Sequence, residues 1–242
     1  MPFKKLKINT LKSKFKYLIF SVKTTLCFVL MLSNVLTAQS VNLSKGREIG
    51  IYTGNLFWGL TNLYLVQSPP MNPNKFQITS LDRIHQNNNN VSIKNASDIG
   101  FWTTAIISGL ATIDPESKSI DWRYANVLVQ NTLLTANLTQ TVKVLVGRER
   151  PSRWNASDDF QSFFSGHSSL TASAAASSLW YAYTVPDAPK YTKVIGWSAA
   201  GLSLITGVLR VAAGKHYPSD VLIGWSIGTG IALLNAHIHR PR

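Results

Sequence analysis

Six stretches free of Asp, Glu, Lys and Arg dominate the chain, at residues 51–67, 99–113, 124–142, 168–185, 194–209 and 221–238. Each is long enough for a helix, and the clusters of Pro, Asn, Asp, Lys and Gly between them read as loops. The expected fold is therefore all-α, a bundle of about six core helices. A chain of 242 residues can bury one sizeable core or form one helical membrane bundle. The long connection 68–95 carries Pro69-Pro70, Pro73 and an asparagine run at 87–90, with the short segment 78–84 as its one candidate for order.

Hydrophobic residues make up 45% of the chain and charged residues 14%, yet the mean hydropathy is only +0.05, so composition leaves lipid and water both open as solvents. Residues 1–38 have the layout of a secretory signal: a lysine-rich start, an apolar run from residue 26 to 36, and Thr37-Ala38 before the expected cut. An uncleaved anchor is the alternative. Either aims the chain out of a bacterial cytoplasm. Seven of the 24 basic residues lie before residue 38, where there are no acids; removing them leaves 17 against 11 acidic residues. The net charge of +13 is thus largely a targeting feature. After residue 40 no basic run is interleaved with aromatics, so nucleic acid is not expected as a partner. Cys27, the single cysteine, allows no disulfide within the chain and no thiolate metal site.

Two arguments favour a periplasmic domain over membrane spans. The third and fourth stretches are rich in polar groups, including Asn126, Gln130, Asn131, Thr135 and Thr139, where a span wants about 20 mainly apolar residues. Six spans after a cleaved signal would also leave the third-to-fourth connection on the cytoplasmic side. Against this, Gly224 and Gly228, four residues apart, resemble the small-residue packing faces of membrane helices.

Polar landmarks then gather at the ends of these stretches. Lys143 is followed by Arg148, Arg150-Pro151 and Arg153, cations that repel one another unless an anion or acid joins them. Ser165-Gly166-His167 opens the fourth stretch, where a helix start offers unpaired N–H groups and a positive dipole end to an anion. Arg210 closes the fifth stretch. His216, Pro218 and Asp220 precede the sixth, and a carboxylate that accepts one imidazole N–H leaves the other nitrogen as a directed nucleophile. Singly, these are a solvated basic loop, an N-cap and a capping aspartate. Their common place at helix ends, in one order, points to a phosphate site.

The spacing Lys143-(six residues)-Arg150-Pro151, Ser165-Gly166-His167 and Arg210-(five residues)-His216-(three residues)-Asp220 resembles the three-part signature of the type 2 phosphatidic acid phosphatase and vanadium haloperoxidase superfamily. The resemblance covers about residues 95–240. It implies that His216 is the nucleophile that forms a phosphohistidine, that Asp220 orients it, and that His167 protonates the leaving alkoxide and then activates water. Lys143, Arg150, Ser165, Gly166 and Arg210 would hold the phosphoryl oxygens, with no metal and no cofactor. Phe164 stands where the family usually has Pro, and Leu209 where it usually has Ser; altered substrate fit or rate is expected from both.

The expected organisation is a signal peptide or anchor at 1–38, an N-terminal helix and loop at 39–94, and a phosphatase core at 95–242. The expected activity is hydrolysis of a phosphomonoester or diphosphate outside the inner membrane. Its substrate would be a lipid of the phosphatidic acid, phosphatidylglycerol phosphate or undecaprenyl diphosphate type, met at a membrane surface, with a small soluble phosphate ester as the alternative. A vanadate-dependent haloperoxidase and a non-catalytic phospholipid-binding protein are the rivals. His237 and His239 bring no carboxylate or cysteine with them and are not read as a metal site.

Overall fold

The computed structural model describes residues 44–65, 78–84, 89–114, 116, 118–152, 160–186 and 188–239. The signal-like segment 1–38 and Arg153 lie outside them. The chain divides into two units, Met1–Gln67 and Ser68–Arg242. In the first, the described part is helix α1, Lys45–Leu65, on which Phe57, Leu60 and Tyr64 form an exposed apolar stripe.

Among its described residues, the second unit holds a 3-10 turn, Ser80–Ile84, and five helices: α2 (Val91–Leu110), α3 (Trp122–Val146), α4 (Gly166–Thr184), α5 (Tyr191–Ala212) and α6 (Pro218–Ile238). The six uncharged stretches are thus six helices, and the fold is all-α. Local chemistry sets their ends. The Asn90 side chain caps α2 by accepting from Ile93 N at 3.0 Å, and Asp121 caps α3 by accepting from Arg123 N at 3.0 Å and Tyr124 N at 3.1 Å. Pro218 takes the first turn of α6, where its missing N–H costs nothing. Helix α2 begins eight residues before the uncharged stretch that announced it, because Lys94 and Asp98 lie inside the helix and pair across one turn at 2.7 Å.

Helix α4 is the hub, packed by α2, α3, α5 and α6. It has no polar face because it has no solvent face; its Ala and Ser residues are buried almost all round. Small side chains let the neighbouring backbones come close. A Cβ at Gly224 would stand 2.8 Å from Ser165 O, and one at Gly228 only 2.0 Å from Ser169 O, so α6 presses its glycines onto the first turns of α4. Against α3 the contact is a ladder of hydroxyls and amides: Thr139 Oγ1 with Ser169 Oγ at 3.0 Å, Thr135 Oγ1 to Ser173 Oγ at 3.2 Å, and Asn131 Nδ2 to Ser177 Oγ at 2.8 Å. Each rung lies four residues from the last, one turn of each antiparallel helix. Beyond it, Tyr124 and Tyr181 stack at 4.4 Å, and their hydroxyls reach Ser178 at 2.8 Å and Asp121 at 2.6 Å.

The polar content of the third and fourth stretches, which argued against lipid, therefore lies inside the bundle. The outside is apolar. On α2, Ser97, Thr104 and Ser108 are buried while Ile99, Trp102, Ile106 and Leu110 are exposed. On α5, Thr192, Gly196, Ser203 and Thr206 face in while Val194, Trp197, Leu204, Ile205 and Val208 face out. This inversion of the soluble pattern is what a hydrocarbon surrounding selects. Helices α5 and α6 are long and apolar enough to cross a membrane, and only 33% of the apolar window of each is buried.

Gly228→Ala should push α6 off α4 and lower the melting temperature, by the equivalent of about 1–3 kcal/mol of overpacking. Gly230→Ala, with open space where its Cβ would go, should be neutral or stabilising by about 0.5–1 kcal/mol. Thermal unfolding of the two variants in one detergent checks the difference; equal melting temperatures would refute the close approach.

Candidate active site

Four helix ends meet around His216. Lys143 is in the last turn of α3, Gly166 and His167 start α4, Arg210 is in the last turn of α5, and Asp220 is in the first turn of α6. Two left-handed glycines shape the connections. Gly147 (φ 57°) ends α3 and gives its N–H to Lys143 O at 3.0 Å, turning Arg148 and Arg150 back towards the bundle. Gly214 (φ 69°) reverses the chain between Arg210 and His216, and its carbonyl takes the Ser152 N–H at 3.2 Å, which ties the two loops together.

His216 is buried, and its Nδ1 lies 2.8 Å from the carbonyl oxygen of Ser162. A carbonyl only accepts, so Nδ1 carries the hydrogen and the neutral ring keeps its lone pair on Nε2. Asp220 is the more distant partner, its Oδ2 3.7 Å from Nδ1. The reason is that Asp220 is already engaged. Oδ1 accepts from Arg148 Nη1 at 2.5 Å, and Oδ2 accepts from Ser162 Oγ at 2.6 Å and Tyr217 N at 3.0 Å. Sequence reasoning gave Asp220 the imidazole directly; in the structure it reaches the ring mainly through Ser162.

Several cations converge on His216. Burial first, then Arg150, Lys143, Arg210 and His167, hold His216 well below the usual imidazole range. Lys143 Nζ donates to Gln161 O at 2.9 Å, and its chain passes the place where a Gly166 Cβ would project, at 3.9 Å. Arg150 Nη1 reaches Lys215 O at 3.4 Å. Ser165 caps α4, its Oγ accepting from Ser168 Oγ at 2.9 Å, and its N–H donates to Asp220 O at 3.0 Å. The start of α4 is thus tied to the Asp220 main chain.

Several participants were not singled out from sequence. Asp98, on α2, lies 3.0 Å from His167 Nε2 and 3.1 Å from Arg210 Nη1, so a carboxylate sits between an imidazole and a guanidinium. Arg210 and Asp98 thus act on His167 with opposite sign. Ser97 also accepts from Arg210, at 3.2 Å, and Phe101 packs its ring 4.7 Å from that of His167. The visible signal was the Lys94 and Asp98 pair at helical spacing just before an apolar stretch. Arg148, read as one more loop cation, is fully buried between Asp220 and Asp82 of the 3-10 turn. Burial would raise Asp82, but the hydrogen bonds from Arg148 and Ser219 more than offset it and leave the carboxyl at about 2. Phe164 is buried.

Comparison with known proteins was made against this geometry. The PAP2 superfamily model matches residues 124–242. Curated proteins give no match. Among solved structures, the chain is similar to that of the first transmembrane PAP2 type phosphatidylglycerolphosphate phosphatase from Bacillus subtilis, with 18% identity over 90% of this chain and 94% of that chain, and a TM-score of 0.42.

Since Arg150 is the largest cationic influence on His216, Arg150→Gln should raise the pH at which His216 protonates. Imidazole signals followed by NMR in detergent would show wild-type His216 still neutral below pH 6.5 and the variant titrating higher. A variant that titrates at or below the wild-type value would show that Arg150 does not face the ring.

Proposed function

Residues 124–242 belong to the PAP2 superfamily, and from that membership we propose that the chain is a phosphatase working through a phosphohistidine on His216. The observation that carries the proposal is the fixed tautomer. With Nδ1–H held by the Ser162 carbonyl, the Nε2 lone pair of a neutral, buried imidazole is left to attack among Lys143, Arg150 and Arg210. Three cations, the Ser165 hydroxyl and the Gly166 N–H at a helix start supply the positive field that the equatorial phosphoryl oxygens need, so the reaction requires no metal.

In the first step Nε2 forms a bond to phosphorus in line with the breaking P–O bond, and the departing alkoxide takes a proton from His167. The incoming phosphoryl dianion, together with Asp98, provides the negative charge that brings a proton onto His167. In the second step His167 takes a proton from water, the hydroxide attacks phosphorus, the P–N bond breaks, and phosphate leaves with His216 neutral again. Asp98 accepts from His167 and Arg210 throughout and so spaces the acid from the cradle.

The substrate in this reading is a phosphorylated lipid. The exposed apolar flanks of α2, α5 and α6 suit a membrane-embedded bundle whose polar end receives a headgroup while the acyl or isoprenoid chains stay in hydrocarbon.

Phosphate release should be measured with purified protein in detergent and EDTA. The substrates are phosphatidic acid, phosphatidylglycerol phosphate, undecaprenyl diphosphate and p-nitrophenyl phosphate. Release from at least one lipid should survive EDTA and vanish in His216→Ala, while Arg150→Ala should weaken binding, raising KM by on the order of tenfold to a hundredfold. No release from any substrate, with vanadate still bound, would overturn the phosphatase reading in favour of a haloperoxidase or a binding protein.

A further inference from the structure

Arg148 stands two residues before Arg150 yet points elsewhere. It is fully buried, with its guanidinium 4.0 Å over the Tyr217 ring. Nη1 donates to Asp220 Oδ1 at 2.5 Å and to Ser219 Oγ at 2.9 Å, while Nη2 donates to Asp82 Oδ2 at 2.7 Å. Asp82 is as deeply enclosed. Its Oδ1 takes the Ser219 N–H at 3.0 Å, and its Oδ2 takes the Ser219 hydroxyl at 2.8 Å and the Ile78 N–H at 2.8 Å. Pro218 has no N–H to offer, so Ser219 carries the first free amide of α6, and a carboxylate 137 residues upstream caps it.

We infer that Asp82 and Arg148 are positioning residues for the reaction, setting the nucleophile His216 through Asp220 and Ser162. The inference rests on the phosphohistidine reading above. The linkage is continuous. Arg148 holds one oxygen of Asp220; the other oxygen takes the Ser162 hydroxyl; the Ser162 N–H returns to Arg148 O at 3.0 Å; and the Ser162 carbonyl takes His216 Nδ1–H. Ser162 is pinned at three points, so its carbonyl, and with it the imidazole, has one place to be. Arg148 also sets how much of the Asp220 charge reaches the ring. A buried carboxylate left unpaired would draw a second proton onto His216 and occupy the attacking nitrogen. Asp82 shares Arg148, so that the guanidinium is divided between two acids and held in the plane that serves both.

The alternative is a tie that only anchors the 3-10 turn to α6. Three variants of the full chain in detergent separate the two: Asp82→Asn, which keeps size and shape, Arg148→Gln and Arg148→Lys. If the pair positions His216, Asp82→Asn and Arg148→Gln should lower kcat by on the order of a hundredfold, with KM changed little because Lys143, Arg150 and Arg210 still hold the substrate. Arg148→Lys, a charge without a fork, should recover only part of the loss.

The pH profile of kcat/KM carries the sign. His216 faces Lys143 from α3, Arg150 from the loop, His167 from α4, Arg210 from α5 and Asp220 from α6. Removing the Arg148 charge releases Asp220 to stabilise the imidazolium. The acid limb in Arg148→Gln should therefore move up by about half a unit to one unit. Should Arg148→Gln fail to fold, Asp82→Asn decides by its kcat. Melting temperatures that fall while kcat per folded enzyme and the acid limb stay at wild-type values would overturn the inference and leave an anchor. His216→Ala, run beside them, keeps the readings apart. Turnover surviving in it overturns the phosphohistidine reading, and this inference with it, whereas its loss beside wild-type kcat in Asp82→Asn and Arg148→Gln overturns the positioning role alone.

Discussion

Everything at the polar end of this bundle depends on how closely the α4 and α6 backbones approach. Gly224 and Gly228 bring the second helix against Ser165 O and Ser169 O, nearer than any side chain would permit. Only then can the Ser165 N–H reach Asp220 O and the two helix starts lie side by side. One start brings unpaired N–H groups, a hydroxyl and His167; the other brings Asp220 and the turn that carries His216. Van der Waals contact between two small-residue faces is thus the precondition for the electrostatics of the site.

Charge in that site is sorted in depth. Arg148, which precedes Arg150 by two residues, is spent inward on Asp82 and Asp220, while Lys143 and Arg150 act on His216. The left-handed turn at Gly147 lies just before the point where the two arginines part. Four clustered cations looked in the sequence like a demand for an anion; two carboxylates from distant parts of the chain meet part of that demand. The remaining positive field acts on a histidine that burial keeps neutral.

The helices were legible because each contains a long stretch free of charge, and the signature residues because their spacing is specific in combination. Other features were hidden for physical reasons. The start of α2 was missed since Lys94 and Asp98 look like loop residues, although Asp98 belongs to the site. Asp82 gave no signal of its link to the site, as Arg148 and Ser219 lie 66 and 137 residues away. Polar residues in α3 and α4 suggest an aqueous surrounding by composition, yet they pair with one another across a buried seam. Hydropathy counts polar groups without knowing which way they face. In a bundle with an apolar exterior, that direction is the whole question.

The four-residue period of the α3 and α4 rungs bears on how such a chain can vary in length. Inserting or deleting one residue within either helix rotates everything beyond it by about 100°. Thr135, Thr139 or Ser173 would then turn outward while a neighbouring apolar side chain turned into the seam. Length changes inside these two helices therefore scramble both faces at once, whereas the connections between helices carry no such periodic code. A family built on this seam should accumulate its insertions in the loops and keep the residue count between Asn131 and Lys143, and between Gly166 and Ser177, unchanged.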